Sequence, residues 1–362
     1  SSDVCSSDLS LEGALDAAPK DMLDLVCRIY ARERLRLVPG IVCNGAVPEL
    51  EALVAREGGA AGILCIGRDG RPHPQGEEAR LVRYNILDPR VQGVVERLVK
   101  ELAGRIDAAT AVDGIAIMLP HDGWLHLPGT AWGLDDATFG RFVAAAGQEA
   151  AALAAPVLAD GDPDGRRFAG RAALVEGPLR EQWLTWREGE VAAFYSRLAD
   201  AVAARNRHWN LYVAPTTLFV AGELAARFRP TLAASPTDAD VMRSIALDPA
   251  RITAHDRIVY VAPHVHAATD DVVERGLVHQ ANHSLPLLRA AAQAARRGAV
   301  FVERPAAIDV KPVVSQGPFT TTSVAPVAVP AVAVGADARR SLAESLVASD
   351  LEVIFDMGLA HR

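Results

Sequence analysis

One pattern constrains this chain more than any other: a short apolar run, bounded by charge, Gly or Pro, is repeatedly reached from a helix-like stretch. LRLVPGIVC follows MLDLVCRIYARER, and VDGIAIMLP follows a stripe of Val91, Val95, Leu98 and Leu102. WNLYVAP follows Leu184, Arg187, Val191, Phe194, Leu198 and Val202 at helical spacing, and RIVYVAP and AVFVERP repeat the form. Apolar runs of this length without alternation suit strands buried on both faces. Strands alternating with helices are expected to lie parallel, so the expected fold is α/β, a parallel (β/α)8 TIM-type barrel. A doubly wound open sheet is the alternative, because periodicity does not show closure. Neither a GxGxxG after a strand nor a GxxxxGK[ST] is present, so the usual nucleotide fingerprints are missing.

Local signals fix some elements more sharply. In YNILDPRV, Asp88 can cap a helix whose first position is Pro89. GILCIG is a further apolar run that ends at the turn signal RDGRP. The stretch from Thr320 to Gly335 reads as a last strand with Pro-marked ends, or as a linker, before a helix in ADARRSLAESLVASD. Residues 1–9 (SSDVCSSDL), with SSD twice, read as a translated adapter scar and are set aside. That leaves residues 10–362 as a single, partial barrel domain. It also leaves Cys27, Cys43 and Cys65, an odd number without CxxC spacing, which points to ordinary buried thiols.

Composition narrows the partners. Half of the 362 residues are hydrophobic, enough for a large core. No uncharged apolar run is long enough to span a membrane. The net charge is −8 and no Lys/Arg block stands out, so a nucleic-acid partner is not expected.

In a barrel, chemistry collects where strands end and loops begin. The richest such place is IAIMLPHDGWLHLPGTAWG, where His121, Asp122, Trp124, His126 and Trp132 follow the strand end at Pro120. All five Trp of the chain fall between residues 124 and 209. Sugars present flat C–H faces ringed by hydroxyls, so a cleft that cleaves them needs aromatic platforms beside two carboxylates. Asp122 is the first candidate, as general acid or nucleophile, although Asp-Gly alone also makes a turn. Glu303, closing AVFVE before Arg304, is the candidate partner. Trp124, Trp132 and His121 are candidates to line subsites, and Tyr84 and Asn85 to meet substrate hydroxyls or pack a helix start. Arg187 is a candidate to bind a carboxylate bidentately or to form a surface ion pair.

These segments, taken in order, resemble one known family. YNILDPRV, a helix and VDGIAIMLPHDGW, then WLTWREGEVAAFYSRLADAV, NLYVAP and IVYVAPHVHA, are similar to glycoside-hydrolase-like family 10 of bacterial proteins. The similarity runs over most of residues 20–356. It implies a (β/α)8 barrel that hydrolyses glycosidic bonds, bacterial cell-wall or extracellular glycans as substrates, and an extracytoplasmic setting. It also implies opening strands upstream of this chain, so the barrel is expected to be incomplete at the N-terminus. Asp122 matches the second acid of the family's strand-end pair, and His121 stands where the first acid is found. Pro263-His264 replaces a Pro-Gln, which makes His264 and His266 candidates for contact with substrate.

The expected activity is therefore hydrolysis of O-glycosidic bonds in a poly- or oligosaccharide, without a cofactor or metal. Two alternatives stand beside it. His264 and His266, with His279 and His283, are the residue types of a metal-dependent hydrolase. A non-catalytic glycan-binding barrel would keep the aromatic residues and lose the acid pair, as His121 suggests.

Overall fold

Strand pairing decides the architecture. The computed structural model describes residues 22–58, 61–73, 83–158, 165–215, 218, 238–264, 298–303 and 352–356. In chain order the elements are α1 (Met22–Arg32), β1 (Gly40–Val42), α2 (Pro48–Glu57), α3 (Pro89–Ile106) and β2 (Gly114–Met118). There follow α4 (Asp136–Ala146), α5 (Gln148–Leu158), α6 (Arg166–Glu176), α7 (Arg180–Arg205) and β3 (Asn210–Ala214). The rest are α8 (Asp238–Ser244), α9 (Pro249–Ile252), β4 (Ile258–His264), β5 (Gly298–Glu303) and β6 (Glu352–Asp356).

The six described strands form one sheet in the order β1-β2-β3-β4-β5-β6, and every pair is parallel. A doubly wound sheet reverses its strand order at a switch point. This sheet never reverses, so it is the progression of a (β/α)8 barrel, of which these are six staves. As expected, VDGIAIML lies between the strands of LRLVPGIV and NLYVAP.

Register divides the sheet into two faces. Ile41, Ile117, Val213 and Tyr260 share one register line and belong to the large core beneath the helices. The alternate positions Ala116, Tyr212, Ala214, Val259 and Val261 form a separate buried cluster, the layer filling the barrel.

The helices follow their local signals. The Asp88 carboxylate accepts from the Arg90 amide at 2.8 Å and caps α3, with Pro89 at its first turn. Helix α7 buries its whole predicted stripe, Leu184, Arg187, Val191, Phe194, Leu198 and Val202. GILCIG is buried but joins no strand of the sheet. The chain reverses at Asp69-Gly70, with φ +73° at Gly70, and Leu64 and Ile66 make isolated antiparallel bridges to Tyr84 and Pro72 instead. Helices α4–α6 and strand β6 were not expected from the sequence. Residues 1–9 and 320–335 lie outside the described residues, as do His266, His279 and His283.

Candidate active site

Strand β2 delivers the chain to the mouth of the barrel. The Leu119 amide still bonds to Ala214 O at 3.0 Å, and then the chain turns, with Gly123 N donating to Pro120 O at 3.1 Å. Asp122 lies at the corner, half-buried beside half-buried His121. Asn44, just beyond β1, donates from Nδ2 to Asp122 Oδ2 at 3.3 Å. The loops after two neighbouring strands thus meet at this carboxylate.

The turn is held from several sides. Arg83 donates from Nη2 to His121 O at 2.9 Å and from Nη1 to Gly123 O, bracketing Asp122. Trp124 N bonds to Cys43 O at 3.0 Å, and its indole Nε1 to Gly45 O at 3.2 Å. His126 is buried, with Nε2 3.1 Å from Pro120 O and Nδ1 3.2 Å from Leu127 O. Burial, and then the positive charge of Arg83, push the His126 pKa down to about 3 against the pull of the two carbonyls, and the neutral ring donates to one of them only.

Several residues expected to face substrate turn inward instead. Trp124 is 1% exposed and packs edge-on to Tyr84 at 5.2 Å, so it anchors the loop and offers no open platform. Tyr84 is fully buried: its hydroxyl accepts from Val47 N at 2.9 Å and donates to Glu51. Asn85 is also fully buried. Its amide donates to Asp135 Oδ2 at 3.0 Å and Thr138 Oγ1 at 2.9 Å, while its carbonyl accepts from Leu87 N. Helix-start packing, not substrate contact, explains this pair. Tyr84→Phe is accordingly expected to cost about 1 kcal/mol of stability and to leave KM unchanged. A tenfold rise in KM in steady-state kinetics would return Tyr84 to the substrate side.

Arg187 departs from expectation in its partners. It grips carbonyls, with Nη1 donating to Gly129 O at 2.9 Å and Thr130 O at 2.8 Å and Nη2 to Ser244 O, and its guanidinium lies 5.3 Å over the Trp183 ring. Position 187 falls on the apolar stripe of α7, so the head enters the interior. Loop carbonyls there lack secondary-structure partners and accept from it. Trp132 is half-buried, its ring 4.6 Å from His73 in a tilted stack. It lies so close to Gly67 that a Cβ there would come within 2.7 Å of the indole.

Strand register places the remaining candidates. Glu303 is the last residue of β5, on the alternation that continues from Ala299, the partner of Val261 in the barrel-filling layer. His264 pairs with Val302, the opposite alternation, which continues Ile258 and Tyr260 of the helix-side core. Asp356 was missed in the sequence. It closes β6 as the register partner of Glu303, and LEVIFD ends on an acid as AVFVE does. Asp135 was also missed. Its carboxylate caps α4 by accepting from Thr138 N at 2.7 Å, and burial, reinforced by neighbouring Asp88, raises its pKa to about 6.

Among the described residues no group of three or more His, Cys, Asp or Glu is placed to hold a metal ion. Cys27, Cys43 and Cys65 are free and buried, as expected, and desolvation pushes the Cys43 and Cys65 thiols up to about 12. No described helix is long and apolar enough to cross a membrane.

No family model matches the chain, and no curated protein matches it. Solved structures match it only loosely. A cold-adapted β-galactosidase from Rahnella sp. R3 is 16% identical with a TM-score of 0.41, over 77% of this chain and 37% of that one. The PgaB (BpsB) glycoside hydrolase domain from Bordetella bronchiseptica is 13% identical with a TM-score of 0.44, over 76% of this chain and 63% of that one. The catalytic domain of a β-amylase from Paenibacillus polymyxa is 9% identical with a TM-score of 0.44, over 78% and 72%. This chain therefore spans well under half of the galactosidase. Superpositions this loose carry no argument about its chemistry.

Proposed function

We propose that this chain belongs to a TIM-barrel glycosidase that cleaves O-glycosidic bonds in a poly- or oligosaccharide, with carboxylates at the C-terminal mouth of the barrel. One observation carries the reading: Asp122, half-open to solvent, stands at the C-terminal end of β2 and is bonded to Asn44 from the loop after β1. This is the end of a parallel barrel where catalytic groups gather. Glu303 closes another strand at the same end, on the alternation of the barrel-filling layer.

In hydrolysis the bond between the anomeric carbon and the bridging oxygen breaks. Water supplies a hydroxyl to that carbon and a proton, by way of the acid, to the leaving oxygen. Asp122 acts as general acid or nucleophile, and Glu303, or its register partner Asp356, is the second carboxylate. His121 and Trp132 border the subsite. Reducing-end release from a panel of bacterial and plant glycans tests the reading. Asp122→Asn is expected to lower the rate about 10²–10⁴-fold while the melting temperature stays nearly unchanged. Comparison of Glu303→Gln with Asp356→Asn then names the partner, and activity is expected to survive a chelator. An Asp122→Asn chain that cleaves at the wild-type rate would reduce Asp122 to a turn former. Glycan binding without cleavage would favour a binding barrel.

A further inference from the structure

We propose that Arg83 is a positioning residue for Asp122. The inference rests on the catalytic reading of Asp122, but it is carried by a different observation. A Pro-His-Asp-Gly turn needs no outside help to form. Pro120 fixes its own φ, Gly123 closes the turn with its bond to Pro120 O, and Asp-Gly is a favoured turn pair. Yet the half-buried Arg83 spans the turn, one arm of its fork on the carbonyl of His121 and the other on the carbonyl of Gly123. Arg83 thereby holds the peptide that enters the Asp122 Cα and, through Gly123 O, the one just beyond the turn, while the peptide between them is held by Gly123 N on Pro120 O; together these bonds set the direction in which the side chain leaves the backbone. Asn44 fixes the far end by bonding Oδ2.

Arg83 is itself held. Its carbonyl accepts from Cys65 N at 3.1 Å, in the segment bridged to Tyr84. A planar guanidinium serves two carbonyls at a fixed spacing, whereas an ammonium is a single point donor. Catalytic carboxylates must be held to within about 0.5 Å of the productive geometry, and a clamp on the carbonyls of both neighbouring residues meets that need where a lone turn does not.

Arg83→Met and Arg83→Lys in the full chain test the proposal, with two readouts. Hydrogen–deuterium exchange is followed in peptides covering residues 119–127, with α7 peptides as the internal standard for global stability. Arg83→Met is expected to speed exchange at Gly123 and Trp124 at least tenfold without changing α7, and Arg83→Lys to fall between it and wild type. Unchanged exchange at 119–127, or equal acceleration in both regions, overturns the proposal. In glycan cleavage, Arg83→Met is expected to lower kcat tenfold or more with KM within twofold. It is expected to add nothing in the Asp122→Asn background, since the two residues act through one group. Additive losses, or an effect on KM alone, also overturn it. If Asp122→Asn retains full activity, the catalytic reading fails while the exchange result still decides whether Arg83 orders the turn.

Discussion

Gly114→Ala is expected to destabilise the protein by at least about 4 kcal/mol and to lower the melting temperature by roughly 10 °C. A Cβ at this position would lie 2.0 Å from Asn210 O and 2.9 Å from the Asn210 N and C atoms. Every atom it meets is backbone of β3, so no rotamer change relieves the overlap. The two strands must separate where their register begins, at the Gly114–Asn210 pair. That pairing joins β2 to the rest of the sheet, and loosening it also disturbs the turn that carries Asp122. Gly93→Ala is the control. It lies within α3, where a Cβ meets only the end of Arg97 at 3.9 Å, and the change is expected to stabilise by about 0.5–1 kcal/mol. Thermal melts of both variants decide the matter. A Gly114→Ala protein that melts within about 2 °C of wild type would mean that the strands approach less closely than this.

The second large effect is acid destabilisation through His126. Its folded pKa of about 3 lies below the ordinary value of 6.5. As pH falls below 6.5 the unfolded chain takes up a proton that the folded chain refuses. His126 therefore contributes its full stability above pH 6.5. That contribution falls by about 1.4 kcal/mol per pH unit and has lost on the order of 5 kcal/mol near pH 3. Asp135 acts in the opposite sense. Its folded pKa of about 6 exceeds the ordinary 3.8, so protonation between those values favours the folded state. The two slopes oppose each other from about pH 6 to pH 4, so the contributions of these two groups are expected to offset each other there. Denaturant titrations of His126→Gln and Asp135→Asn separate them. The difference between wild type and His126→Gln should decline steadily from pH 6.5 downward, and that for Asp135→Asn should rise from pH 6 to pH 4. A flat His126 difference curve would show that the ring takes up a proton in place.

The order of the sheet was legible because each of β1 to β5 is a short unalternating apolar run. β6 was not, since EVIFD follows a stretch whose helical pattern drew the reading away. Helices α4–α6 escaped for a different reason. They are rich in Ala, which weakens the contrast between faces, and α5 is apolar nearly all round, so no stripe marks its face. At the site, the strand-end rule put Asp122 just beyond β2 and Glu303 at the end of β5, which is where the chain places them. The rule failed for Tyr84, Asn85, Trp124 and Arg187 because residue type does not distinguish a polar group aimed at a ligand from one satisfying a loop. Arg187 was written into the apolar stripe of α7, and that placement was the better guide to its role. Arg83 carried no signal at all. Its partners are carbonyls about forty positions away, and backbone acceptors leave no trace in residue type.

The unbroken order of the sheet also governs how the protein can be assembled. Each strand from β2 to β6 pairs with the one synthesised just before it, so every new stave finds its template already emerged from the ribosome. Among the described strands none waits for a distant partner, and none has to be inserted between two that have already joined. Growth is by addition at one margin. A change that unseats β6 therefore leaves all the earlier registers in place, whereas one that unseats β2 removes the template for everything after it.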